Sequence, residues 1–138
     1  MFFDEEMLLD LRLNIMDKYV DKFVITEATY MHSGRPKKLL FDINKYSKFK
    51  DKIIYNVIDS EPSNIESIYE EDKDEKDTRG QKLVNNSNKR EHYQRNMAEE
   101  SLKILSEAEP DDIILINDID EIPNLDQINF KEINKKLI

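Results

Sequence analysis

Apolar residues between Glu5 and Lys18 recur at helical spacing. Leu8, Leu11 and Ile15 share one face, with Met7, Leu9 and Met16 beside it, while Glu6, Asp10, Asp17 and Lys18 stay polar. This pattern predicts a helix buried along one broad face. The stretch Val20 to Thr26 is dense in β-branched and aromatic side chains and predicts a strand, and Lys52 to Ile58 predicts a second. Between them Ser33 to Pro36 is a loop signal, and Leu39, Leu40, Phe41, Ile43, Tyr46 and Phe49 fit a short helix or irregular structure equally. Polar residues dominate from Asp59 to Asn88, and Glu66 to Arg79 has little to bury, so 59–88 reads as a mobile acidic loop or insertion. Asn88 with Glu91 three positions on marks a helix start. Tyr93, Met97, Ala98, Leu102, Leu105 and Ala108 then fall on one face, and Pro110 limits the helix. Ile113 to Ile116 predicts a third strand, and a further helix is expected from Leu125. Alternating strands and helices point to an α/β layer with a mainly parallel sheet. Only about three residues precede the first helix, too few for a strand of ordinary length, so the amino end reads as clipped.

A chain of 138 residues is one domain with a modest core. Thirty acids against twenty-one bases give a net charge of −9, which argues against nucleic acid or an anionic membrane as a partner. Any nucleotide site therefore needs its bases gathered locally. The lack of cysteine excludes disulfides and thiolate metal sites. No apolar run approaches the roughly 20 residues of a bilayer span and no signal peptide is evident, so a cytoplasmic protein is expected. Two glycines and four prolines argue against a turn-rich all-β fold.

The chemistry concentrates between Asp111 and Pro123, where the apolar run Ile113 to Ile116 ends in Asp118, Asp120 and Glu121. On a continuing strand Asp118 and Asp120 point the same way. Two hard oxygen ligands then meet one divalent cation, of the kind that keeps waters and bridges phosphate oxygens. In open α/β sheets ligands bind at the carboxyl ends of strands, where these residues sit. The plain alternative is acids that cap a helix or face water. His32 and His92 read as solvated residues, as do Lys37 and Lys38.

Five blocks in order resemble one family: Phe2 to Leu13 with its Phe3-Asp4-Glu5, Val20 to Thr29, Ser33 to Leu39, Gln94 to Asn96, and Asp118-Ile119-Asp120-Glu121-Ile122-Pro123. They resemble family 17 glycosyltransferases, which include the β-1,4-mannosyl-glycoprotein β-1,4-N-acetylglucosaminyltransferases, and the match covers most of the chain. The resemblance implies a GT-A-like fold and an N-acetylglucosaminyltransferase-like activity. In it UDP-GlcNAc is held by Mn²⁺ (or Mg²⁺) for inverting transfer to a glycan acceptor. It assigns metal and donor binding to Asp118 and Asp120, with Glu121 as an outer or sugar contact. It places Glu5 near the nucleotide, although Asp4 stands where the family has Asn and loses a donor. It also implies that Glu27 and Thr29, at the end of their strand, flank the donor. Arg95 faces the diphosphate, for which guanidinium is suited, the alternative being an ion pair with Glu91 or Glu99. The family domain runs roughly twice this length, so the chain matches its amino-terminal, donor-binding half, expected to be inactive alone, with the general base outside it. A sheet without its central strand leaves edges that invite self-association. Two other readings remain. A haloacid dehalogenase-type phosphohydrolase also places Asp-x-Asp after a strand, but Ile122 stands where it needs Thr or Val. The other is a non-catalytic acidic binding module.

Overall fold

Two β-branched and aromatic runs pair in parallel in the computed structural model, as β1 (Phe23–Ala28) and β2 (Ile53–Ile58). The register runs from Phe23↔Ile53 to Ala28↔Ile58 in a two-stranded sheet. Residues 1–73, 78–104, 109 and 111–130 are described. Helix α1 (Glu6–Met16) precedes the sheet and α2 (Thr78–Ile104) follows it; turns of 3-10 helix lie at Ile43–Phe49, Glu70–Lys73 and Leu125–Gln127. A parallel pair needs a crossover connection, and the residues between β1 and β2 provide it, with the 3-10 helix Ile43–Phe49 on it. No helix among the described residues is long and apolar enough to cross a membrane.

Side chains alternate along β1, so its two faces build separate cores. Phe23 and Ile25 join Phe2, Leu9, Leu13, Met16, Tyr46, Phe49 and Leu125 beneath α1 and the crossover. Phe41 closes that core by stacking on Tyr46 at 5.6 Å and tilting over Tyr55 at 4.6 Å. On the other face Ala28, Tyr30 and Ile58 meet Tyr93 and Met97 of α2. The result is a small α/β layer, one sheet between helices.

The structure corrects several expectations. In α1 the buried residues are Leu9, Leu13 and Met16, whereas Leu11 and Ile15 of the expected face are 49% and 43% exposed. Apolar side chains surround this helix almost completely, so periodicity alone does not select the docked face. The expected third strand, Ile113 to Ile116, joins no ladder and all four residues are exposed. A parallel strand is stable only beside a partner, and β1 offers 113–116 none: a cavity of about 530 Å³ lies between them. The free edge of β1 is met instead by Phe2, whose N–H donates to the Thr26 carbonyl at 2.8 Å.

Helix α2 begins at Thr78, well before Asn88, and with Glu70–Lys73 it occupies part of the stretch 59–88. Its docked face is mixed: Tyr93 and Met97, two residues of the expected apolar face, pack on Ala28, Tyr30 and Ile58, and the polar Asn86, Arg90, Gln94 and Ser101 are buried. Asn86 grips the Glu66 backbone through both amide atoms at 2.8 Å, and Lys82 and Lys89 pair with Asp72 and Glu66. The stretch from Lys82 to Lys89, seated by these polar contacts, has no hydrophobic stripe to read. Leu105, Ala108 and Pro110, the Leu102 side chain and residues 131–138, where the later part of a final helix was expected, lie outside the described residues.

Candidate functional site

The acidic segment is held from three directions. From α1, Arg12 reaches across and donates through Nη1 to the carbonyls of Asp118 (3.0 Å) and Glu121 (2.7 Å), and through Nη2 to Asn117 Oδ1 (2.7 Å). Burial lowers the Arg12 pKa and Glu121 opposes the shift. From α2, Arg95 Nη2 donates to Asp118 Oδ1 at 2.8 Å and to Glu91 Oε1 at 3.2 Å. The segment also closes on itself, because Glu121 N–H donates to the Asp118 carbonyl at 3.1 Å and Asp118 N–H to Glu121 Oε2 at 3.2 Å. That closure makes 118–121 a turn rather than a continuing strand, so strand alternation does not set the directions of Asp118 and Asp120. Both carboxylates are exposed.

The amine of Met1 lies close to the same cluster. Burial lowers its pKa, while Asp118 and Glu5 pull it up and Arg95 and Arg12 push it down. Glu5 caps the turn that leads into α1, its Oε2 accepting from the N–H groups of Phe3 (2.9 Å) and Asp4 (3.2 Å). Met1, Arg12, Arg95 and Asp118 line the 530 Å³ cavity, while Glu5, which acts on the Met1 amine, and Glu121 are not among its walls. The ion pair of Arg95 with Glu91, the plainer alternative for that residue, is present alongside its contact to Asp118.

Glu27 stands apart. It is 1% exposed, and its carboxylate is saturated: Oε1 accepts from Lys37 Nζ and Leu40 N–H (2.8 Å), Oε2 from Phe41 N–H (3.0 Å) and the Tyr55 hydroxyl (2.8 Å). Burial alone raises a carboxyl pKa, but here these four donors outweigh it and hold the group below its usual range. Burial, with Glu27 adding to it, pushes the Tyr55 hydroxyl pKa up. Glu27 thus pins the crossover at 37–41 to the sheet. Thr29 is turned to β2 and the crossover, its N–H donating to the Ile58 carbonyl at 2.9 Å. Lys38 and His92 are exposed, and the His32 carbonyl accepts from Arg90 Nη1 at 3.1 Å.

Among the described residues no group of three or more His, Asp or Glu side chains is placed to hold a metal ion. The donor set at 118–121 is two hard carboxylates on one turn, Asp118 and Asp120. It suits a cation whose remaining ligands are phosphate oxygens and water, not a cage made by protein alone.

Sequence reasoning gave no role to Arg12, Asn117, Arg90 or Gln94, although Arg12 and Gln94 lie within the blocks that carry the resemblance. Arg90 donates through Nε and Nη2 to Glu61 Oε2 (3.1 and 2.9 Å) and supports the loop at Gly34. A signal existed in the spacing of four from Asn86 to Arg90 to Gln94, a polar stripe at helical period. Arg12, a basic residue between two leucines, carried none. The sequence model of glycosyltransferase family 17 matches residues 1–136. No curated protein and no solved structure matches the chain.

Proposed function

Because the chain belongs to glycosyltransferase family 17, we propose that it binds a nucleotide sugar, UDP-GlcNAc, for inverting transfer of N-acetylglucosamine to a glycan. The fold in this reading is of GT-A type, and Asp118 and Asp120 hold Mn²⁺ or Mg²⁺. The observation that carries it is the meeting of Arg95 and Asp118 at 2.8 Å beside a cavity, with Arg12 fixing the same turn from behind. A bound cation supplies positive charge where the departing diphosphate gains negative charge.

The chain's own residues divide the remaining work. Among the described residues Arg95 bonds Asp118 and Glu91 through Nη2, and its other N–H groups suit phosphate oxygens in the bidentate geometry that guanidinium favours. Arg12 keeps the two aspartates in position by holding the backbone on either side of them. Glu121 acts through the turn, its carboxylate on the Asp118 N–H. Glu5 orders the backbone at residues 3 and 4 next to the cluster, and Glu27 acts at a distance by seating the crossover. In the transfer itself the acceptor hydroxyl attacks the anomeric carbon as UDP departs, and the hydroxyl proton passes to a general base.

Calorimetric titration of the 138-residue chain with UDP, with and without Mn²⁺, tests the reading. Saturable binding that requires both the metal and the pair Asp118 and Asp120 is expected. A folded chain that binds no UDP under either condition overturns it in favour of a non-catalytic acidic module.

A further inference from the structure

Away from its charged end the larger cavity is apolar, and one of its long walls is the free edge of β1. Successive residues of a parallel strand turn their backbone groups to opposite edges. Phe23 N–H donates to the Lys52 carbonyl and Thr29 N–H to the Ile58 carbonyl, so the odd-numbered residues of β1 face β2, and Val24 and Thr26 present theirs to the cavity. The Thr26 carbonyl accepts from Phe2 N–H at 2.8 Å, which shows that this edge can hold a further backbone. The facing wall is Ile113 to Ile116, a run of strand composition that joins no ladder and is 39–62% exposed. Leu9, Met16 and Ile25 line the cavity on the side of α1, and Ala98 lines it on the side of α2. An open strand edge that faces a second unpaired apolar run across an apolar gap is the arrangement used in strand addition, where main-chain hydrogen bonds give affinity and the two faces take alternate side chains.

We propose that this gap receives an extended apolar segment of a second polypeptide, paired on one side with Val24 and Thr26 of β1 and on the other with residues 113–116. A strand in that position is covered on both faces, so a continuous β-branched apolar run suits it, and proline, which lacks the N–H, does not. The segment comes from another chain because the runs of three or more apolar residues in this one, at 1–3, 7–9, 23–25, 39–41, 53–55 and 113–116, already build the helices, the crossover, the sheet and the cavity walls. Its consequence for the site rests on the nucleotide-sugar reading. Residues 113–116 lead directly into Asn117 and Asp118, which Arg12 and Arg95 hold, so pairing that run orders the turn that carries Asp118 and Asp120.

The test is calorimetric titration of the full chain with a short peptide of alternating valine and isoleucine between terminal lysines, acetylated and amidated, against the same peptide with proline at its centre. The two carry the same charge, so attraction to an acidic chain is equal for both. The expected result is saturable binding of the first and binding on the order of tenfold weaker for the second. Hydrogen exchange at the amides of Val24 and 113–116 is expected to slow when the first is bound. Ala98→Trp, which fills the gap from α2, is expected to remove the difference between the peptides while circular dichroism stays unchanged. Equal affinity for the two peptides, or exchange at Val24 and 113–116 that bound peptide leaves unaltered, overturns the proposal whatever becomes of the Ala98 variant. A chain with the same segment joined ahead of Met1 is the second arm: protection there without binding of the free peptide assigns the gap to a joined segment and overturns a separate partner. These titrations contain no nucleotide, so their failure is distinct from that of the nucleotide reading. UDP with Mn²⁺ is then titrated with and without the peptide, and several-fold tighter binding with it is expected. Unchanged UDP affinity overturns the ordering of the turn, and no UDP binding in either case overturns the nucleotide reading while the peptide result stands.

Discussion

Replacing Glu27 with glutamine tests whether that carboxylate is a structural pin or a ligand contact. The variant keeps the shape and removes the charge. Its amide carries one acceptor oxygen and one NH₂ group, while the native carboxylate faces two donors on each oxygen. The less costly orientation puts the oxygen toward Lys37 and Leu40, because the Tyr55 hydroxyl on the other side can rotate to accept. The Phe41 N–H cannot rotate. It is left unpaired inside the protein, at roughly 1–3 kcal/mol, and the Lys37 ammonium, also buried, loses its counter-charge. A loss of about 3 kcal/mol is therefore expected, a large share of the roughly 5–15 kcal/mol of a typical domain. Urea unfolding at neutral pH reads it. The pH dependence carries a sign that can be checked: the native pKa of Glu27 is lowered, so the unfolded chain binds the proton first as pH falls. Its stabilisation is present above the unfolded carboxyl pKa of about 4.3 and fades as pH drops through the lower native value, so the difference between wild type and Glu27→Gln shrinks in acid. Replacing both partners, Glu27→Leu with Lys37→Met, also leaves the Leu40 and Phe41 N–H groups without their acceptor and should cost more than Lys37→Met alone, in which three donors still hold the carboxylate. A stability loss below about 1 kcal/mol together with lost UDP affinity would refute the pinning role and return Glu27 to the ligand site.

Arg12→Ala releases the turn at 117–121 from three hydrogen bonds and is expected to weaken Mn²⁺-dependent UDP binding on the order of tenfold; Arg12→Lys, a point charge that cannot span three acceptors, should recover only part of it, both read by calorimetry. Gly34 has φ +83, and an added Cβ would lie 2.6 Å from Arg90 Nη2, so Gly34→Ala should destabilise by about 1–3 kcal/mol in thermal unfolding. Asn86→Leu strips both partners from the Glu66 backbone and should cost about 2–4 kcal/mol, exposing the amides near residue 66 to faster hydrogen exchange; unchanged exchange would contradict the polar docking of α2.

Which parts of this molecule were legible follows from which forces shape them. Both paired strands were visible because β-branched and aromatic residues fit a pleated, half-buried surface, and Val24, Ile25, Ile53 and Ile54 display that directly. The docked face of α1 was not, since Leu9 and Leu11 are equally apolar and only the position of the sheet decides between them. Nor was the start of α2, whose early turns are seated by Lys82, Asn86 and Lys89 on polar groups 10, 20 and 23 residues earlier, outside any helical spacing. The apolar run at 113–116 has the composition of a strand, but pairing is a property of two segments and the run by itself does not supply the second. At the site the carboxylates Asp118 and Asp120 were legible from residue type. The closure of their turn and the guanidinium that holds it were not, because Arg12 acts across more than a hundred residues on backbone carbonyls.

The charge around that turn argues for how the proposed site must work. Around the turn two guanidiniums, Arg12 and Arg95, and the Met1 amine stand among five carboxylates, Glu5, Glu91, Asp118, Asp120 and Glu121, an excess of acid within a chain whose net charge is −9. A nucleoside diphosphate brings further negative charge into this surrounding, so the two arginines alone do not attract it. A nucleotide therefore binds only if positive charge arrives with it, and Asp118 and Asp120 are the exposed oxygens that can receive that charge. The sign of the salt dependence follows. With Mn²⁺ at a fixed saturating level, added NaCl should weaken UDP binding by screening the attraction. Without Mn²⁺, the residual binding to Arg95 should improve slightly as salt screens the surrounding acids. Asp120→Asn lowers the local negative charge, so it should raise metal-free UDP affinity while lowering the metal-dependent part. A single direction of change in both arms would show that the acidic turn does not face the phosphates.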